Sequence, residues 1–161
     1  MALSEIIKLG DPRLLEKALT VNRDDLPGLT PYIKKMDRLI LEFRQRYGRG
    51  RAIAAPQIGL LKRIICINTG KPQLMINPVI EYSSDEMMEV WDDCMSFPNL
   101  LVKVKRHKRI TISFLDFDMK AQVWNLENDM SELMQHEYDH LDGILAISKA
   151  KDISCFRWTD E

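Results

Sequence analysis

The chain has 161 residues, 45% hydrophobic and 29% charged, with a formal net charge of −1. That length suits one domain with a sizeable core, and the near-zero charge excludes a general electrostatic pull toward nucleic acid or membrane. Three cysteines, an odd and sparse set, exclude a secreted disulfide framework and suit a reducing compartment.

Residues 1–10 contain Glu5 and no long apolar run, so neither a signal nor a transit peptide is expected. No stretch approaches the roughly 20 apolar residues that span a bilayer, so a soluble cytoplasmic protein is the expectation. Residues 6–14 read as an extended piece ending in a turn, because Pro12 disfavours helix at Asp11. A helix is predicted from Thr30 as N-cap and Pro31 at the first helical position. Ile33, Met36, Ile40, Phe43 and Tyr47 follow at helical spacing, and Gly48 and Gly50 stop it. Residues 62–67 read as a buried strand. Residues 74–76 and 79–91 read as extended, with a polar break at 83–86. Residues 101–105 and 109–117 read as strands, the second forming a hairpin with 121–126 through a turn at Asp118-Met119-Lys120. A second helix is predicted from Asn128 to Leu141, with Gly143 just past its end. Residues 146–161 carry no regular pattern. Helices flanking mostly antiparallel strands make the class α+β, with residues 1–161 as a single domain.

The sharpest motif lies on that second helix: His136-Glu137-Tyr138-Asp139-His140. Residues four apart are about 40° apart around a helix and about 6 Å along it. Both imidazoles can therefore reach one ion, with Glu137 beside them to contact water rather than metal. The bland alternative is a helix with two surface histidines. A third ligand is needed. His107 lies in a basic stretch, residues 103–109, that reads as solvent-facing. Cys66 sits in an apolar run and Cys155 near the end of the chain. Cys94, among polar neighbours, is the better candidate. One thiolate and two imidazoles leave a position open for water, the mark of a catalytic rather than a closed structural site. They suit Fe(II), Zn, Co or Ni.

Three segments in order resemble the signatures of peptide deformylases. Gly50-Arg51-Ala52-Ile53-Ala54-Ala55-Pro56-Gln57 is similar to the family's G-x-G-L-A-A-x-Q. Asp92-Asp93-Cys94-Met95-Ser96 is similar to E-G-C-L-S, and Gln135-His136-Glu137-Tyr138-Asp139-His140 matches Q-H-E-x-D-H. The opening Leu9-Gly10-Asp11-Pro12-Arg13-Leu14 is also similar to the family's start. The resemblance implies mixed sheets packed around the central helix that carries the histidines. It implies removal of the N-formyl group from N-terminal formylmethionine of nascent polypeptides, by attack of hydroxide generated at the metal. One divalent ion is implied, Fe(II) first, with Zn, Ni or Co as substitutes. Glu137 would act as general base and then acid. The Gln57 side chain and the Met95 backbone N–H would hold the developing oxyanion. Asp92 would pair with Arg106 beneath the site, Ser96 would support the loop, and Asp139 would orient a ligating imidazole. The implied partner is an N-formylated peptide or nascent chain. A transient ribosome contact through Lys103, Lys105, Arg106, Lys108 and Arg109 is weighed against a solvated strand face; DNA and membrane are not expected.

The chain departs from the pattern where Ala52 and Asp93 stand for glycines and Arg51 stands at a position that is often apolar. Glu132, one turn before His136, falls in the same region. These positions bear on substrate preference, not on the metal. Two other readings are a related amidase acting on another formyl or acyl amide, and a non-catalytic metal- or peptide-binding descendant. Glu137 and Gln57 argue against the last. A zinc endopeptidase ranks low, since after His140 the only glutamate is Glu161 and no histidine follows.

Overall fold

A computed structural model describes residues 2–159. Met1, Asp160 and Glu161, which the expectations for the two ends include, lie outside the described residues. Two α-helices, α1 (Leu26–Tyr47) and α2 (Asp129–Leu141), accompany eight strands: β1 (Ala52–Ala54), β2 (Ile64–Asn68), β3 (Pro72–Ser83), β4 (Met87–Asp92), β5 (Leu100–His107), β6 (Arg109–Leu115), β7 (Ala121–Glu127) and β8 (Phe156–Trp158). The strands form an antiparallel five-stranded sheet in the order β1-β2-β3-β6-β7 and a three-stranded sheet in the order β4-β5-β8. The α+β class and the histidine-bearing helix against the sheets agree with expectation.

β2 shows how the layers arise. Its residues are all buried, yet successive side chains point to opposite faces. Ile64 and Cys66 pack with Met36, Leu39, Ile40 and Phe43 of α1. Ile65 and Ile67 pack with Leu133, Met134 and Leu141 of α2. One strand therefore separates two cores and fixes a helix on each side of the sheet.

The polar break at residues 83–86 is where the chain changes sheet. Ser84 N–H donates to the Arg109 carbonyl at 2.9 Å and Ser84 Oγ to the Glu86 carbonyl at 2.9 Å. β3 ends before this turn and β4 begins after it. The interruption expected at residues 77–78 is instead a bulge within β3, where Asn77 takes φ 49°.

The first helix begins five residues earlier than predicted, at Leu26, and Pro31 lies inside it. A turn at residues 23–25 supplies the start. Asn22 N–H donates to Asp25 Oδ2 at 2.8 Å, and Pro27 takes the first-turn place that suits proline. Buried Leu29 anchors that turn, while exposed Pro31 leaves its unpaired carbonyl partner on the water side. Asp11 is extended, as expected before proline, and caps a short turn at Pro12–Leu15. Residues 146–158, read as patternless, hold two short 3-10 turns and β8. The basic stretch is only partly solvent-facing. Val104 and Arg106 are buried on the inner face of β5, so Arg106 is not available to RNA. Among the described residues, no helix is long and apolar enough to cross a membrane.

Candidate metal centre

Cys94 lies in the loop between β4 and β5, and His136 and His140 lie on consecutive turns of α2. Ligand atoms of all three fall within 4.8 Å of one another, and all three residues are buried. Cys94 Sγ is 3.3 Å from His140 Nε2, which is 3.2 Å from His136 Nε2.

These spacings fit a shared cation. Two metal–nitrogen bonds of ~2.05 Å at a tetrahedral angle separate the nitrogens by ~3.3 Å, and a ~2.3 Å sulfur bond separates sulfur from nitrogen by ~3.5 Å. The surroundings fit as well. Asp92 and Glu137 are buried beside the cluster. Although burial opposes it, the charges of Asp92 and Cys94 hold His136 well above its ordinary range. Burial and then His136 push His140 well below its own. The negative groups beside His136 have the sign that a cation needs, whereas the surroundings of His140 keep its imidazole neutral and free to donate a lone pair.

The carboxylate that touches an imidazole of the cluster is Asp92, not Asp139. Asp92 Oδ1 is 3.0 Å from His136 Nδ1, an ion-pair contact lying off the ring's N–H axis. Asp92 Oδ2 accepts from Arg106 Nη2 at 2.6 Å. Asp139 accepts from Arg106 Nη1 at 2.6 Å and also faces Lys149. Burial would raise Asp92, but His136 and Arg106 hold it well below the usual carboxylate range. The expected Asp92–Arg106 pair is present; its reach to His136 was missed. The signal was the period of two along β4, which puts Asp92 on the inner face with Val90.

α2 is locked in register by Gln135. Its Nε2 donates to the His107 carbonyl at 2.8 Å and its Oε1 accepts from His107 N–H at 2.9 Å. His107 stands apart from the cluster, with Nδ1 2.7 Å from the Ser84 carbonyl.

Gln57 sits in the turn Ala55–Ile58 that follows β1. Its Oε1 accepts from Ala54 N–H at 2.9 Å, which aims its amide nitrogen at Ser96 Oγ (3.1 Å) and Cys94 Sγ (3.5 Å). Ser96 thus supports the loop by way of Gln57. Met95 is buried beside Cys94, and Lys8 Nζ donates to its carbonyl at 3.2 Å. Glu137 is 4% exposed, and its Oε2 has no hydrogen-bond partner among the described residues. Burial pushes its carboxyl up to about 7, against the pull of His136.

Cys94, His136 and Glu137 open onto a cavity of about 130 Å³ walled by Gly50, Arg51, Met95 and Glu132. Gly50 takes φ +121°, and a Cβ there would meet Met95 Cε and Phe43 Cδ1 at 3.0 Å. Neither Ala52 nor Asp93 has positive φ, so neither added Cβ strains the backbone. A larger cavity of about 650 Å³ lies against β5 with four lysines in its walls and touches none of these residues.

Residues 3–155 match the family model described as polypeptide deformylase. The chain is 35% identical over 156 residues to the peptide deformylase of Desulfitobacterium hafniense, covering 96% of this chain and 99% of that one. Its fold is similar to the crystal structure of the Thermotoga maritima peptide deformylase, with TM-score 0.82 and 30% identity over 91% of this chain and 97% of that one. It is also similar to a Synechococcus elongatus peptide deformylase solved in complex with actinonin, with TM-score 0.84 and 28% identity over 92% and 79% of the two chains.

Proposed function

Because the chain belongs to the polypeptide deformylase family, we propose that it hydrolyses the N-formyl group from N-terminal formylmethionine of nascent polypeptides in the cytoplasm, with residues 1–161 acting as one catalytic unit. What carries this reading is the buried Cys94, His136 and His140 cluster with an unpartnered Glu137 carboxylate oxygen beside it. A divalent cation held by those three side chains, Fe(II) first and Zn, Ni or Co as substitutes, supplies Lewis acidity to the reaction.

Glu137 takes a proton from the attacking water and returns one to the leaving amine. A carboxyl poised near 7 suits both halves of that transfer. Gln57 donates its amide N–H to the oxyanion as the carbonyl becomes tetrahedral. Its 3.5 Å contact with sulfur is the weaker of its two, and it is the one a substrate oxygen would replace. The Met95 N–H is the second donor, in a loop steadied by Lys8. Asp92 holds His136 in orientation and is itself held by Arg106.

The test is formate release from formyl-Met peptides by protein loaded anaerobically with each divalent ion in turn. Turnover that Glu137→Ala abolishes is the expected result. Metal binding without turnover on any formyl peptide would overturn the reading.

A further inference from the structure

If the reaction is deformylation, the scissile amide must lie against Cys94, His136 and Glu137. The side chain of the first residue then meets the walls of the cavity onto which these groups open. That wall carries an arginine that faces two carboxylates without hydrogen-bonding to either. Arg51 Nη1 is 3.7 Å from Asp129 Oδ2 and Arg51 Nη2 is 3.7 Å from Glu132 Oε2, both too long for hydrogen bonds. The Asp129 side chain is 92% exposed, so water screens it. Glu132 is the more buried of the two carboxylates, yet it too stands beyond hydrogen-bond reach, so the guanidinium fork has no side-chain acceptor among the described residues.

The other arginines nearby each hold at least one hydrogen bond, although Arg49 Nε has no hydrogen-bond partner among the described residues. Arg49 faces Asp93 at 3.3 Å and donates to Asn99 Oδ1 at 3.1 Å. Arg106 is held between Asp92 and Asp139. A methionine side chain laid over Arg51 would cover guanidinium N–H groups without giving them an acceptor, which is unfavourable. A carboxylate or carboxamide oxygen would accept from the same planar fork.

We infer that Arg51 is a specificity-determining residue, which admits a formylated first residue with an acidic or carboxamide side chain at least as readily as formylmethionine. This rests on the deformylase reading for its reaction but not for its binding.

Four formyl peptides that differ only in the first residue (Met, Leu, Gln or Glu) are assayed with metal-loaded wild type, R51L and R51Q. Binding of the corresponding acetyl peptides is measured by calorimetry on the same proteins. For wild type the expected kcat/KM on the Glu peptide equals or exceeds that on the Met peptide. R51L lowers this ratio about tenfold, the scale of one lost charge-assisted hydrogen bond, and weakens the acetyl-Glu peptide about tenfold while sparing acetyl-Met. A wild type that prefers Met by more than tenfold, or a ratio that neither variant moves, would overturn the inference. Absence of turnover on all four would count against deformylation alone; the acetyl series would still decide the role of Arg51.

Discussion

Asp92 Oδ1 lies 3.0 Å from His136 Nδ1 while its other oxygen accepts from Arg106, so one buried carboxylate of β4 joins an imidazole of the candidate metal cluster to a buried guanidinium. Asp92→Asn keeps the shape of this link but removes its charge. Metal affinity should fall about 10- to 100-fold, the usual loss when such a partner of a ligand is changed. Competition with a calibrated chelator checks it; an unchanged affinity would show that Asp92 serves only the ion pair with Arg106.

Glu137→Gln replaces the carboxyl with a neutral group of the same shape. Formate release should drop by roughly 10²- to 10⁴-fold with metal content unaltered. Metal analysis beside steady-state kinetics separates a lost proton carrier from a lost ion.

Arg106 balances two buried or partly buried carboxylates at 2.6 Å each. Arg106→Met leaves Asp92 and Asp139 without that cation. A loss of about 3–5 kcal/mol in unfolding free energy is expected. Urea titration measures it, and a loss under 1 kcal/mol would mean that water or Lys149 takes over.

Gly50 is the one glycine of the first motif that the structure requires, since both its φ and its neighbours refuse a Cβ. Gly50→Ala should cost about 1–3 kcal/mol, whereas Ala52→Gly should cost only about 0.5–1 kcal/mol through added chain entropy. Thermal or urea unfolding of the two variants would show the order reversed if the reading of this loop is wrong.

Burial raises the Cys66 thiol from an ordinary 9.0 to about 12. Below pH 9 the thiol is protonated whether the chain is folded or not, and this contribution to stability is fully present. Between pH 9 and 12 the unfolded chain releases the proton and the folded one keeps it, so stability falls as pH rises. By pH 10.5 the loss attributable to this group is roughly 2 kcal/mol. Cys66→Ala, whatever its pH-independent packing cost, should show that much less decline between pH 8 and 10.5. Equal slopes would place the alkaline sensitivity elsewhere.

The elements that sequence made legible were those with a long, regular pattern. The histidine helix has apolar spacing, an ending glycine and a motif that works only on a helix, and it was found to within one residue. β1 and β8 have three residues each, too few for any alternation to register. The start of α1 was misplaced because Thr30-Pro31 has the form of a helix beginning, while the true one depends on Leu29 finding a core contact that local sequence cannot show. In the site, the members of the donor cluster could be picked out because their chemistry is rare. The partner of His136 could not be, because Asp92 and Asp139 are both plausible carboxylates and only the packing of β4 against α2 separates them.

Cys94 and His140 are 46 positions apart, and between them the chain builds β5, β6 and β7. An ion shared by these ligands would stitch the loop leaving the small sheet to the helix beside the large one. Its departure should be felt unevenly. Amide hydrogens of β4 and β5 would exchange faster in chelated protein, while those of β2, enclosed between two helices, would stay slow. Fraying would begin at the seam and reach the middle of the molecule last.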